Sequence, residues 1–222
     1  MHIFQATGFK FTGVKGEDSM QNIYDIVMTR RSQRRYTKDM PNRAVIEKII
    51  DAARWAPSAG NRQNLFWWVA AGKKRDELVE IISQVSDRAG ELFKDYEEKV
   101  QRFLSLYFRT LGGAPVIVTL SFERKDDAEK DEHFDWDLWD YASGCAAMQN
   151  FLLLAHAEGL GTCWMTAPLL VHREIKACLG IPEPHDIVAV TPLGFSQHEI
   201  PAIPRVDPDL KKTLKWIGFD QK

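Results

Sequence analysis

Four arginines crowd into six positions of the stretch MTRRSQRRY, residues 28–36, where Arg30, Arg31, Arg34 and Arg35 surround Ser32. A phosphate group needs several hydrogen-bond donors and compensating positive charge, and arginine and serine side chains supply both. Arg30 and Ser32, with Arg31 or Arg34, can therefore wrap one phosphate. Two other interpretations remain open at this point. The basic side chains can simply complement the dipole at a helix C-terminus, or they can form a nucleic-acid patch.

A second polar stretch, APSAGNRQN over residues 56–64, follows a predicted helix at a proline-imposed stop. Ser58, Asn61 and Gln63 offer donors and acceptors at close spacing, and Gly60 permits unusual backbone angles. Such a loop can line a polar heterocycle, or it can be an ordinary turn.

A third stretch, GCAAMQNFLLLAHAEGLGTCWM over residues 144–165, belongs in its first part to a long helix whose middle, CAAMQNFLLLA over residues 145–155, is apolar nearly all round. That composition predicts a helix buried at a domain centre or at a subunit interface. Gln149 and Asn150 are predicted to be buried amides that need partners; they can fix a loop or touch a ligand, or they can be satisfied within the core. His156 is predicted to be packed or interfacial, and Gly159 with Gly161 allows a close approach of the backbone at the start of a strand.

The chain shows no pattern of a nucleotide-binding glycine loop, a zinc protease or a nucleophile elbow, and its histidines lack ligand spacing. No catalytic side chain and no metal site are therefore predicted. Ligand-binding donors without a nucleophile are typical of a protein whose cofactor carries the chemistry.

The net charge of −2 argues against a general nucleic-acid binder. Three cysteines without CxxC spacing indicate a reducing compartment and hence the cytoplasm. No apolar run approaches the length of a membrane span, and the N-terminal residues lack the pattern of a secretory signal.

The element order is irregular, which predicts one α+β domain over residues 19–222 after a lead-in over residues 1–18. Hydrophobic periodicity predicts helices from Asp18 or Ser19 to about Arg31, from Asn42 to before Pro57, over most of 73–109, from 136 to about 158, and from Leu169 to Leu179. Strands are predicted at 65–71, 115–122 and 186–195, with a short one after Gly159. The apolar tail over residues 196–222 is expected to pack against another surface, such as that of a partner subunit.

Taken together, the motifs resemble the FMN-dependent nitroreductase family. They are Arg30-Arg31-Ser32-Gln33-Arg34-Arg35-Tyr36, Ala56-Pro57-Ser58-Ala59-Gly60-Asn61-Arg62-Gln63, the helix with Gln149-Asn150 before Gly159-Leu160-Gly161, Gly194-Phe195, and Pro204-Arg205. The resemblance covers about residues 20–210. It implies a mainly antiparallel sheet flanked by helices, in a homodimer whose C-terminal extension, residues 196–222, crosses onto the partner.

The same resemblance implies a site shared by two subunits. Arg30, Ser32 and Arg205 would hold the FMN phosphate, with Arg31 helping through its backbone, and Arg34 would reach the pyrimidine side of the flavin. Pro57, Ser58, Ala59 and Asn61 of the other subunit would line the ring and the ribityl chain. The backbone of Met165, Thr166 and Ala167 would approach flavin N5.

The implied activity passes two electrons from NAD(P)H through flavin N5 to a nitroaromatic, a quinone or a similar small acceptor. Phe103, Tyr107 and Phe108 are candidates for the acceptor pocket or for the core, and residues 84–110 are a candidate lid. Gln63-Asn64-Leu65 and Thr166 depart from the pattern of many members, which leaves the acceptor open. The alternatives are reductive dehalogenation or flavin breakdown on the same scaffold, or a non-enzymatic FMN-binding protein.

Overall fold

A four-stranded antiparallel sheet forms the centre of the protein. The computed structural model describes residues 23–86, 93–125, 135–198 and 209–218. In these ranges the strands are β1 (Leu65–Ala71), β2 (Val116–Glu123), β3 (Leu160–Thr162) and β4 (His185–Phe195). They lie in the order β1-β2-β4-β3, and each neighbouring pair is antiparallel. The prediction of an α+β fold with a mainly antiparallel sheet is confirmed.

Helices cover both faces of this sheet. They are α1 (Ile23–Thr29), α2 (Arg43–Ala53), α3 (Gly72–Ser83), α4 (Glu98–Thr110), α5 (Trp136–Ala157) and α6 (His172–Leu179). The start of α2 is capped by Asn42, whose side chain accepts a hydrogen bond from the Ala44 amide. The end of α6 is closed by Gly180 in the left-handed conformation.

The central strand β2 connects two hydrophobic cores, because successive side chains of a strand point to opposite faces. Val116, Val118 and Leu120 pack with α2 and α5 in the first core. Ile117 packs with α3, α4 and α6 in the second. The result is a helix–sheet–helix sandwich, in which α5 lies against one face along the whole first core.

Three helical predictions differ from the structure. The first helix ends at Thr29, so the arginine cluster lies beyond it; residues 1–22 are outside the described part. The predicted helical region 73–109 is interrupted between α3 and α4, where residues 93–97 form a turn. The predicted helix from Leu169 begins as a 3-10 turn over Ala167–Val171 before α6.

The prediction that both amides of α5 are buried is wrong for the single chain. Gln149 is exposed and Asn150 is half-buried. The helix is apolar all round because its inner face lies in the core, while its outer face carries exposed apolar side chains such as Leu138 and Trp139. No helix in the described ranges has both the length and the apolar character needed to cross a membrane.

Candidate functional site

The arginine segment, residues 30–35, runs as extended chain along β3. Ser32 pairs with Thr162 in a parallel bridge, and the Gln33 amide donates to the Thr162 carbonyl at 2.8 Å. Further along, Tyr36 pairs with Ser196 at the end of β4. The cluster is therefore attached to the edge of the sheet, and the helix-end interpretation does not describe most of it.

Two glycines allow this segment to come so close. A Cβ atom added at Gly161 would lie 2.6 Å from Cγ of Gln33. A Cβ atom added at Gly112 would lie 2.1 Å from the Arg34 carbonyl oxygen, and Gly112 also has φ of +63°. The close backbone approach predicted for the Gly-Leu-Gly motif is thus observed at Gly161, and the chain that approaches is the arginine segment.

A cleft of about 650 Å³ opens between this segment and the C-terminal end of α5. It is lined by Thr29, Arg30, Arg31, Gln33, His156, Gly159, Leu160, Gly161, Thr162, Ser196 and His198. Sequence reasoning picked out the two arginines. It did not assign Thr29, Gln33, Thr162 or His156 to a site, although His156 precedes the Gly-Leu-Gly motif by only three residues.

The two arginines of the cleft are used differently. The Arg31 guanidinium donates to the carbonyls of Met28 and Arg30, at 2.6 and 2.9 Å, and so satisfies the end of α1. Nη1 of Arg30 is enclosed and finds no acceptor in the part of the chain that the structure describes. Burial lowers the pKa of Arg30, and the neighbouring Arg31 charge adds to this effect. An enclosed guanidinium nitrogen without an acceptor among these residues fits an anionic ligand.

The loop after α2 holds the second group of predicted site residues, Pro57, Ser58, Ala59 and Asn61. It forms a 3-10 turn over Ala59–Asn61 with φ of +57° at Gly60 and +54° at Asn61. Gln63 also has positive φ, at +51°. Residues other than glycine rarely adopt this backbone conformation, so contacts with other parts of the chain must hold the loop in it.

These contacts come from the N-terminal half of α5. The Ala59 amide donates to Oγ of Ser143 at 3.0 Å. The Arg62 guanidinium donates to the carboxylate of Asp140, which is fully buried, and lies 5.7 Å from the Trp136 ring. Burial raises the pKa of Asp140 and the charge of Arg62 acts against that shift. Arg62 and Asp140 were missed from the sequence because each looks like an ordinary surface charge.

The loop and the cleft lie at opposite ends of α5. Ser143 holds the loop, whereas His156 lines the cleft. At a rise of about 1.5 Å per residue these two positions are roughly 20 Å apart along the helix axis. One chain therefore does not bring its own loop residues to its own cleft among the residues described.

The third predicted group, Met165, Thr166 and Ala167, follows β3. Met165 is buried and exchanges two backbone hydrogen bonds with Val190 of β4, at 3.1 and 3.2 Å. Thr166 is exposed and Ala167 half-buried, at the start of a 3-10 turn. Arg205 lies outside the described residues.

The aromatic candidates separate by burial. Tyr107 and Phe108 belong to the second core, whereas Phe103 is partly exposed and stacks on Tyr107. The Arg34 guanidinium lies 5.9 Å from the Tyr107 ring. Burial is the main cause that raises the pKa of Tyr107, with Cys163 acting in the same direction.

The sequence profile of the Nitroreductase family matches residues 27–195, which include the arginine segment, the loop and all four strands. This chain belongs to that family. The resemblance drawn from the motifs is thereby confirmed.

Several named proteins are similar to this nitroreductase-family protein in sequence or in structure over most of its length. A 4-nitrobenzoate reductase from Nocardioides sp. (strain LMS-CY) is 27% identical, covering 88% of this chain and 90% of the relative. A nitrobenzene nitroreductase from Ectopseudomonas oleovorans is 23% identical, covering 81% and 88%. The crystal structure of the FMN and NADPH-dependent nitroreductase NfnB from Sphigopyxis sp. strain HMH is similar with a TM-score of 0.70 at 21% identity, covering 90% of this chain and all of that one.

Proposed function

We propose that this protein is an FMN-dependent oxidoreductase that passes two electrons from NAD(P)H to a nitroaromatic compound, a quinone or a similar small acceptor. The observation that carries the proposal is the enclosed Nη1 of Arg30, a guanidinium nitrogen that finds no acceptor among the described residues and lies in a cleft beside a second arginine. The names of the relatives support the choice of cofactor, donor and acceptor class. When bound, the flavin would supply the two-electron chemistry itself.

The chain's own residues would bind and orient the cofactor. Arg30 would pair with the phosphate, together with Ser32 and Arg205. The Arg31 side chain is occupied at the end of α1, which agrees with a role through its backbone. Arg34 would place positive charge near the pyrimidine side of the ring. Met165, Thr166 and Ala167 would bring their backbone to the reacting edge.

We further propose a homodimer with two shared sites. Because Ser143 and His156 are roughly 20 Å apart on α5, an antiparallel pairing of two α5 helices would bring the loop of one chain to the cleft of the other. The outer face of α5 has the spacing for such a seam, at the exposed or half-buried positions Leu138, Ala142, Cys145, Gln149 and Leu153. In this arrangement Pro57, Ser58, Ala59 and Asn61 would line the partner's flavin.

Two further apolar surfaces support a subunit contact. Helix α1 buries none of its side chains in the single chain. The described part of the tail, 209–218, exposes Leu210, Leu214, Trp216 and Ile217. Large exposed apolar patches mark interaction sites. The tail would then be the extension that crosses onto the partner, as the family resemblance implies.

The first experiment is the visible spectrum of the purified protein before and after anaerobic addition of NADH or NADPH, with sedimentation of the same sample. We expect a flavin spectrum, release of FMN identified by mass, prompt bleaching and a dimer. Bound FMN that ignores both nicotinamides would favour a non-enzymatic FMN-binding protein. A colourless protein that does not take up added FMN would contradict the proposal.

Arg30→Ala tests the observation itself. A hydrogen bond to a charged group contributes about 1.5–3 kcal/mol, so we expect FMN affinity to fall by about tenfold or more. Arg35→Ala is the matched control, because Arg35 belongs to the same cluster but is exposed and does not line the cleft. Equal flavin content in both variants would refute the phosphate site.

A further inference from the structure

The cleft contains a basic group that the proposed function does not use, the imidazole of His156. It lies in the last turn of α5 and lines the cleft together with Arg30 and Arg31. Its Nε2 atom is 2.9 Å from Oγ1 of Thr29, the last residue of α1. The imidazole is thus held in a defined orientation at the place where the phosphate is proposed to bind.

The hydrogen bonds around Thr29 settle which ring nitrogen carries the proton. The Thr29 hydroxyl donates its single proton to the Asp25 carbonyl at 2.5 Å. Its oxygen must therefore accept from His156, so Nε2 of the neutral ring is protonated. Nδ1 is then an acceptor in the neutral ring and becomes a donor when the ring takes up a second proton.

The charges that face this ring are mostly positive. Arg30 and Arg31, on the segment after α1, carry the positive charges, and the side chain of His198, after β4, also lines the cleft. Glu158, two residues further along the chain, is paired with Lys48 of α2 at 2.7 Å. Burial, and then the two arginine charges, lower the pKa of His156 and so favour the neutral ring while the cleft holds no anion.

We infer that His156 is a further phosphate-binding residue of the cleft, which takes up a proton from solvent when a phosphate dianion binds and then attracts that dianion with its own positive charge. This inference rests on the proposed function. A dianion beside Arg30 and Arg31 offsets their two positive charges, which removes the repulsion that, after burial, disfavours the protonated ring. Thr29 acts as the positioning residue, because its oxygen holds Nε2 in both protonation states.

The test uses the flavin-loaded full-length protein and does not depend on turnover. FMN released on dilution is measured by its fluorescence, which yields dissociation constants between about pH 6 and pH 8.5. His156→Gln keeps a donor that can reach Thr29 but cannot gain the charge. We expect its dissociation constant to exceed that of the wild type by about tenfold near pH 6, and this ratio to approach one near pH 8.5.

Comparing the two proteins as a ratio removes the ionisation of the FMN phosphate, whose second pKa of about 6 affects both equally. His172→Gln is the matched control, because this exposed histidine lies outside the cleft and its Nδ1 is 2.9 Å from the Leu169 carbonyl oxygen. Its ratio should stay near one at every pH. Thr29→Val is the second variant. It removes the acceptor of Nε2 while it keeps the imidazole, and it should reduce the pH dependence.

The outcomes separate this inference from the proposed function. A ratio that does not change with pH in a flavin-loaded His156→Gln protein would overturn the inference alone. The inference alone would also be overturned if the ratio for His198→Gln, and not that for His156→Gln, changed with pH. It would likewise be overturned if riboflavin, which has no phosphate, showed the same pH-dependent change in ratio as FMN. A wild type that binds no flavin at any pH would overturn the proposed function and this inference with it.

Discussion

Replacing Asp140 by alanine should cost this protein much more stability than the same change at a surface ion pair. The carboxylate of Asp140 has no exposed side-chain surface, and the Arg62 side chain that pairs with it is 22% exposed. Arg62 also lies over the Trp136 ring and belongs to the loop that has positive φ at Asn61 and Gln63. Removing the carboxylate would leave the guanidinium without its charged partner.

The size of the effect follows from this burial. Breaking a buried ion pair by removing one partner costs about 3–5 kcal/mol, because an uncompensated charge remains. Arg62 keeps some contact with water, which places the expected cost at the lower end, about 3 kcal/mol. Burial raises the pKa of Asp140 despite the adjacent guanidinium, so the carboxylate itself is costly to keep charged. Asp140→Asn should therefore cost less than Asp140→Ala.

The assay is urea unfolding of each variant at the same protein concentration, since a dimer's stability depends on it. Glu47→Ala is the matched control, because its pair with Arg43 joins side chains that are 60% and 91% exposed. Such a pair contributes about 1 kcal/mol or less. Equal losses for Asp140→Ala and Glu47→Ala, at unchanged denaturant slope, would refute the reasoning.

The double variant Arg62→Met/Asp140→Leu tests the cause of the loss. If the cost comes from the uncompensated guanidinium, the double variant should be more stable than Asp140→Ala alone. The loop would still lose its link to α5 through Arg62, so flavin retention should fall in both proteins. A double variant that is no more stable than Asp140→Ala would show that packing, and not charge, explains the loss.

Two further predictions concern Gly161 at the edge of the cleft and His185, which is buried at the start of β4. Gly161→Ala should weaken FMN retention, because its Cβ would lie 2.6 Å from Gln33 Cγ and displace the arginine segment. Gly180→Ala is the control, because its Cβ would meet nothing within 4 Å although its φ is +69°. This variant should lose stability but keep its flavin. Equal flavin loss in the Gly161→Ala and Gly180→Ala proteins would contradict the prediction. Stability should also fall as the pH drops below about 6.5, because burial lowers the pKa of His185 and the unfolded chain then binds a proton that the fold does not. In His185→Gln, the free energy of unfolding measured in urea should depend less on pH between about pH 7.5 and 5.5. The slope should decrease by up to about 1.4 kcal/mol per pH unit, and an unchanged slope would refute this prediction.

The sheet and its helices were predictable because each element has a strong local signal. Strand β2 follows from a run of β-branched residues, and α2 follows from an apolar stripe between Asn42 and Pro57. The groups proposed to hold the cofactor come from motifs whose order resembles that of the family, and their roles remain predictions. The break between α3 and α4 was not, because residues 93–97 share the amphipathic composition of the flanking helices.

The loop conformation could not be read from the sequence because it is imposed by tertiary contacts. Asn61 tolerates positive φ, but nothing in the sequence marks Gln63 for it. The side chains that hold the loop, Asp140 and Ser143, are about 80 residues away in sequence. The same reason hid the role of His156, whose partner Thr29 is 127 residues away.

Helix α5 shows why a pattern that predicts burial can describe two different surfaces. Its inner residues, such as Phe151, are fully buried in the first core, whereas Leu138 on the outer face is 58% exposed in the single chain. A polar substitution at Phe151 would therefore unfold the chain, since it opens the core. A polar substitution at Leu138 would leave the chain folded and act on the subunit contact. If the proposed shared site is correct, the substitution at Leu138 should cause both loss of FMN and dissociation of the dimer. A flavin site built within a single chain would not require the two losses to occur together.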